Sequence, residues 1–335
     1  MRMTAATAGA PILVTGATGF IGRRLVARLR EHDFEVRALV LPGESPPAEW
    51  DSSVCIVHGD ISDRQAVNYA VDGVAGVVHL AAVVGDWGPE SLFQRVTVDG
   101  TQFVFKAALQ RHIPVVLASS IVVYGDRLGR QVCDENTPHG RPLGPYGRAK
   151  QAQETIARNL VDRECADIRV VRPGNVYGPG SGPWVNEAAK ILLSGSPALI
   201  DGGRQNAGLA YVDNVADVLF RALVEDSARG ETFNACDADS VTWADYFSDL
   251  AEIVGAAAPK SVPRFIAWPL VTAMEVTWRL LRISDRPALT REALNLISSD
   301  HKVPNKKAKG LLGHRSLIDY TQGMSEVASS LDQSR

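Results

Sequence analysis

Cysteine is scarce in this sequence: only Cys55, Cys133, Cys165 and Cys236 occur, widely spaced and without a Cys-x-x-Cys pair. That spacing offers no metal site and no redox motif, and four thiols are few for a disulfide framework. Reduced thiols in a cytoplasmic protein are the simplest reading. Neither sign of charge is in excess, since 35 Lys and Arg face 38 Asp and Glu, for a net charge of −3. Nothing there marks a nucleic-acid partner. Long apolar runs are absent as well. The opening segment MRMTAATAGA has no apolar core of signal-peptide length. The uncharged stretch from Phe265 to Met274 is bounded by Arg264 and Glu275 and interrupted by Pro269, so it is too short to span a bilayer.

What is present is ordinary globular material. The chain has 335 residues, 45% hydrophobic and 22% charged, enough for one large domain or two closely joined ones. Short apolar runs read as strands at Ile12-Leu13-Val14, Val36 to Leu41, Val54 to Val57, Val74 to Leu80, Ile113 to Ala118 and Ile168 to Val171. Helical patterns lie between most of them, beginning with Gly19 to Leu29, whose apolar side carries Phe20, Leu25, Val26 and Leu29. Continuous apolar strands alternating with helices predict an α/β fold, a Rossmann-type doubly wound parallel sheet. After about Pro173 glycine and proline cluster, and longer helices follow near 242–255, 265–282 and 288–298. The expected division is a flexible N-terminal tail (1–10), a dinucleotide-binding domain (11–180, with 206–236 returning to it) and a smaller, mainly helical C-terminal substrate lobe (181–205 and 237–330).

The segment ILVTGATGFIG places Gly16, Gly19 and Gly22 where the first strand becomes a helix. A tight turn, close approach of backbone to a pyrophosphate and close helix packing each need glycine there. The helix start then offers free N–H groups and a positive dipole end. After the second strand comes Leu41-Pro42-Gly43-Glu44, with no basic residue close behind, and Arg37 lies earlier. NAD or NADP is expected, with a lean to NAD. Asp60 and Ile61 end the third strand, where Asp60 either meets an adenine amino group or caps a turn.

Tyr146 and Lys150 in PYGRAKQAQE are four apart on a predicted helix and leave one face. A free tyrosine, with a pKa of about 10, is a poor base at neutral pH. A neighbouring ammonium favours the phenolate, and a shift of about three units needs roughly 4 kcal/mol. Ser119 and Ser120 follow the strand IPVVLA, at the strand end where open α/β sheets bind ligands.

Together TGATGFIG (15–22), HLAA (79–82), ASSIVVYG (118–125), YGRAK (146–150) and RPGNVYGPG (172–180) resemble the extended short-chain dehydrogenase/reductase family. The resemblance runs from about residue 11 to about residue 325. It implies that Ser120 polarises the substrate oxygen, Tyr146 is the acid/base, and Lys150 binds the nicotinamide ribose and lowers the tyrosine pKa. It implies cofactor contacts at Gly16, Thr18, Gly19, Phe20, Ile21, Gly22, Asp60, Ile61, Leu80, Ala81, Ala82, Tyr146, Lys150 and Pro173, and a substrate contact at Asn175. It also implies a homodimer through two helices of each subunit. One departure stands out: VTVDGT places Thr97 where many members have asparagine.

Sugar-nucleotide members carry an arginine shortly before the Tyr-Val-Asp segment, because a diphosphate needs a bidentate cation. Here Asn206-Ala207-Gly208 precede Leu209-Ala210-Tyr211, and Arg204 is displaced. GDWG (85–88), GPWVNEAAK (182–190) and PRFIAWPLVTAMEVTWRLL (263–281) are similar instead to the 3β-hydroxysteroid dehydrogenase branch. Trp87 and Trp184 are candidate contacts to an apolar small-molecule substrate. The 263–282 helix reads first as lobe packing or a dimer face, and second as a helix resting peripherally on a membrane. The expected activity is NAD(P)-dependent interconversion of a secondary alcohol and a ketone on a sterol-like or long-chain substrate. The alternatives are a nucleotide-sugar epimerase or dehydratase and a non-catalytic dinucleotide-binding redox sensor.

Overall fold

Short runs of Val, Ile and Leu form the strands because such side chains fill both faces of a sheet covered by helices. The computed structural model describes residues 9–237 and 240–333, so most of the expected tail at 1–10 lies outside the described residues. Ile12–Thr15 (β1), Val36–Val40 (β2), Val54–His58 (β3), Gly76–His79 (β4), Val115–Ala118 (β5), Ile168–Pro173 (β6) and Thr232–Ala235 (β7) make one sheet. Its order is β7-β6-β5-β4-β1-β2-β3, and every pairing is parallel. The order reverses at β1, which lies between β4 and β2, so a crevice opens beyond the carboxyl ends of β1 and β4.

Helices cover both faces. Phe20–Glu31 (α1) buries Leu25, Val26 and Leu29 against one face. Arg64–Val71 (α2), Gly100–Leu109 (α3) and Pro145–Glu164 (α4) lie on the other, and the buried Val67, Val104, Phe105 and Ala157 join one cluster there. Val212–Val224 (α5) returns to the α1 face and is almost wholly buried, with Asp217 paired to Arg28, Arg221 and His314. Phe20 departs from the expected stripe and packs on the second lobe.

That lobe is built from Trp243–Val254 (α6), Arg264–Leu280 (α7) and Arg291–Ser298 (α8). Thr242 and Asp245 cap α6 reciprocally. Helix α8 starts later than predicted, because Thr290 accepts from the Ala293 N–H and sets the first turn there. Along α7, Ala267, Val271 and Glu275 are buried, while Phe265, Leu270 and Leu280 face outward. Among the described residues no helix is long and apolar enough to cross a membrane.

Candidate active site

The turn after β1 can be made only by glycines. Gly16 has φ +67°, and a Cβ there would meet the Ala81 nitrogen at 2.8 Å. A Cβ on Gly22 would meet the Gly16 oxygen at 2.2 Å, so α1 packs directly on the turn. Gly19 is the N-cap of α1 and gives no side-chain cap. The first-turn N–H groups thus face the crevice as an anion-binding end, which fits the pyrophosphate of a dinucleotide. Thr18, Phe20 and Ile21 are half-buried around it. Leu80, Ala81 and Ala82 follow β4 beside the turn, and the Leu80 and Ala81 N–H groups donate to Thr15 Oγ1 at 3.2 Å. Asp60 Oδ1 accepts from the Ser62 N–H at 2.7 Å and the Ser62 hydroxyl at 2.8 Å, which is a turn-forming role. Ile61 beside it is buried. Arg37 donates to the Ala70 and Asp72 carbonyls at the end of α2, so its guanidinium is committed there.

Ser120 follows β5 as the N-cap of the short turn after it. Its hydroxyl accepts weakly from the Val122 N–H at 3.3 Å. Tyr146 and Lys150 leave one face of α4, and the Lys150 ammonium lies 5.7 Å from the centre of the Tyr146 ring. Lys150 Nζ donates to the Ala118 carbonyl at 2.8 Å. The predicted trio is therefore brought together. Its electrostatics correct the expectation of a tyrosine lowered by lysine. Burial pushes the Tyr146 phenol upward, the Glu292 carboxylate adds to this, and only the Ser120 hydrogen bond opposes it. Burial also lowers Lys150 to about 8, against the pull of Glu154. His79, buried near Lys150, is lowered to about 3 by burial first and then by that ammonium. It bridges Thr15 Oγ1 at 2.7 Å and Thr101 Oγ1 at 2.9 Å as a neutral ring.

Beneath the trio lies a polar network that the sequence reading missed. Glu154, a further four residues along α4, accepts from Arg172 Nε at 2.9 Å and Nη2 at 2.6 Å. It also accepts from the Ser119 hydroxyl at 2.5 Å and bonds His139 Nε2 at 2.8 Å. Burial alone would raise this carboxyl, but Arg172, His139 and Ser119 outweigh it and hold it at about 2. Arg172 also donates to the Tyr124 hydroxyl at 2.9 Å, and that hydroxyl donates to Asn234 at 2.7 Å. Ser119, which shares the strand end with Ser120, belongs to this network. The continuing four-residue spacing Tyr146, Lys150, Glu154 was its one sequence signal.

On the substrate side the candidates are separated. Trp87 is half-buried on the loop after β4, with the Arg279 guanidinium of α7 at 5.4 Å from its ring. Trp184 packs on Trp243 at 4.9 Å within the second lobe. Asn175 is buried after β6 and donates to the Ala207 carbonyl at 2.6 Å. Pro173 ends β6 just ahead of it. Thr97, standing for the usual asparagine, lies in a π-turn over Phe93–Asp99, and its hydroxyl accepts from the Val83 N–H at 3.0 Å. It thereby ties the loop after β4 to the helix leading into α3. A cavity of about 570 Å³ opens between the loop before α4 and the second lobe, lined by Arg130, Arg141, Arg264, Trp268, Asn295 and Ser298 among others.

A glycine turn at the switch point of a parallel sheet, with Ser120 at the end of β5 and Tyr146 and Lys150 on α4, is the layout of a Rossmann-class dinucleotide-binding fold. Residues 12–236 match the NAD dependent epimerase/dehydratase family, and the chain belongs to that family. It is 27% identical to the 2-alkyl-3-oxoalkanoate reductase of Stenotrophomonas maltophilia (strain K279a), over 95% of this chain and 98% of that protein. It is 24% identical to the decarboxylating sterol-4-alpha-carboxylate 3-dehydrogenase of Dictyostelium discoideum, over 94% of this chain and 99% of that protein. Among solved structures it is similar to MoeE5 in complex with UDP-glucose and NAD, with TM-score 0.74 and 25% identity over 97% of this chain and 99% of that one. The protein is an NAD(P)-dependent oxidoreductase of the extended short-chain type, in the branch similar to 3β-hydroxysteroid dehydrogenases.

Proposed function

We propose that the protein reduces a ketone on a hydrophobic substrate to a secondary alcohol, with NAD as the cofactor pair. The carrying observation is that Tyr146 and Lys150 leave one face of α4, with the ammonium 5.7 Å from the ring centre and the half-buried phenol pushed upward by its surroundings. A phenol so held is a proton donor, the partner a carbonyl oxygen needs during reduction. The glycine turn would hold the pyrophosphate through the start of α1, with Leu80, Ala81, Ala82 and Pro173 along the crevice. The cofactor, when bound, supplies or accepts the hydride. Ser120 would hold the substrate oxygen, Tyr146 would deliver the proton, and Lys150 would position the ribose. The lean to NAD rests on the commitment of Arg37 to α2 and on the lack of a cation after β2. The apolar substrate reading rests on Asn206, Ala207 and Gly208, which stand before Leu209-Ala210-Tyr211 where a diphosphate would need arginine.

A second reading, a nucleotide-sugar epimerase or dehydratase, is favoured by the three arginines around the 570 Å³ cavity. Cofactor reduction and oxidation with NAD and NADP, against hydroxysteroids, long-chain 3-hydroxy and 3-oxo compounds and UDP- or TDP-sugars, separates the two. Tyr146→Phe should reduce turnover by about 10²–10⁴-fold while leaving cofactor affinity nearly intact. Sugar-nucleotide conversion without net cofactor change would overturn the first reading. Cofactor binding with no turnover on any panel would favour a sensor.

A further inference from the structure

Helix α4 begins without a cap of its own. Gly144 is its N-cap residue and gives no side-chain hydrogen bond, and Pro145 has no N–H to satisfy. The cap comes from another element: Glu292 of α8 accepts from the Gly147 N–H with Oε1 at 2.8 Å. The carboxyl is seated in a hollow made by two glycines on either side of Tyr146. A Cβ on Gly144 would lie 2.0 Å from Glu292 Oε2, and one on Gly147 2.7 Å from Oε1. Capping accounts for Oε1 alone. Oε2 is buried and has no hydrogen-bond partner among the described residues.

The charges around Glu292 are lopsided. Asp86, on the loop after β4, is held by Arg286 at 2.5 Å. Glu275 of α7 is held by Arg291 at 2.7 Å. Arg148 of α4 is engaged by Glu90. Of the three acids, Glu292 is the one without an ion pair among the described residues, although it is only 5% exposed. It is seated on the first turn of α4, where Tyr146 directly precedes the Gly147 whose N–H it accepts.

We propose that Glu292 is a positioning residue whose carboxyl charge, seated between Gly144 and Gly147, sets the protonation of Tyr146. The inference rests on Tyr146 being the acid/base of the proposed reaction. Burial raises Glu292 to about 7, with Asp86 and Glu275 adding to it and the Gly147 N–H and Arg148 opposing. Tyr146 titrates well above that pH, where the carboxylate has already formed. That carboxylate disfavours a second negative charge nearby, so Tyr146 keeps its proton and remains a donor. Reduction would then persist into the alkaline range, and alcohol oxidation would need a higher pH than the tyrosine and lysine alone would set.

The test is an alkaline titration of tyrosinate absorbance in NAD-loaded protein, each protein measured against its own Tyr146→Phe counterpart so that only Tyr146 is read. Glu292→Gln keeps the cap and removes the charge. It should lower the Tyr146 titration by about one pH unit, a tenfold change. Glu292→Asp keeps a charge on a shorter stem and should stay near the wild type. An unmoved titration in Glu292→Gln, or equal shifts in both variants, would overturn the proposal. The infrared band of a protonated carboxyl in the unmodified protein serves if the Gln variant fails to fold. That band should fade between pH 6 and pH 8, and a carboxylate already complete at pH 6 would overturn the proposal. Neither readout needs a substrate. A shifted titration without turnover of any ketone would therefore sink the substrate reading and leave Glu292 in its role.

Discussion

Glu154, in the third turn of α4, and Glu292, packed on its first turn, are both almost wholly buried, at 3% and 5% exposure. Burial pushes both upward, yet one ends at about 2 and the other at about 7. The difference is the partners. Glu154 has both oxygens filled, by Arg172, Ser119 and His139. Glu292 has one N–H on one oxygen. Desolvation of a carboxylate opposes ionisation at both sites, and at Glu154 the Arg172 fork, with His139 and Ser119, outweighs it. Helix α4 thus carries an ionised anchor below Lys150, and α8 brings a carboxyl poised near neutrality to its first turn.

The largest effect should come from turning the first site into the second. Arg172→Met leaves Glu154 buried without its cation and should cost about 3–5 kcal/mol in urea unfolding at pH 7. A loss under about 1 kcal/mol would mean that Ser119 and His139 suffice, and the contrast would need another cause.

The next effect is a pH dependence of opposite sign at the two sites. Glu154 is lowered from 4.5 to about 2, so its contribution is present above 4.5 and is lost as pH falls through 2. Glu292 is raised from 4.5 to about 7, so the folded protein holds a proton that the unfolded chain has released. Stability should fall as pH rises from 4.5 to 7 and stay flat above that. Each shift of about 2.5 units corresponds to about 3 kcal/mol. Glu292→Gln should therefore gain on the wild type by up to about 3 kcal/mol across that window in thermal or urea unfolding. A constant gap between the two proteins would remove Glu292 from the comparison.

The smallest effect tests the seat itself. Gly144→Ala places a Cβ against Glu292 Oε2 and should cost about 1–3 kcal/mol. Combined with Glu292→Ala, the loss should shrink, which a double-mutant cycle of unfolding energies would record. Additive losses would place the strain elsewhere.

Much of this was legible in the residues. The strands announced themselves as short apolar runs, and the Rossmann turn as three glycines at the first of them. The Tyr146–Lys150 pair follows from helical spacing alone. Helix α8 was expected from 288, and its start moved because Thr290 caps it. Glu154 was within reach, since it continues the same face of α4. Nothing in the local sequence pointed to Glu292, which meets Gly147 across 145 residues of chain. Trp87 was legible as a candidate substrate contact but not as the partner of Arg279, which belongs to a different lobe.

The sequence by itself determined which residues form strands, where the glycine turn must fall, and that Tyr146 and Lys150 share a face. Those facts depend on periods of two and of about 3.6 residues and on the steric freedom of glycine, all set within a few positions. Only the tertiary structure decided the charge state around the phenol. The local pair predicts a tyrosine made acidic by lysine. The assembled fold half-buries the ring, turns Lys150 to the Ala118 carbonyl and brings Glu292 to the helix start, which pushes the phenol upward instead. Electrostatic energy depends on distance and on the surrounding medium, and neither exists for a side chain until distant segments have packed together.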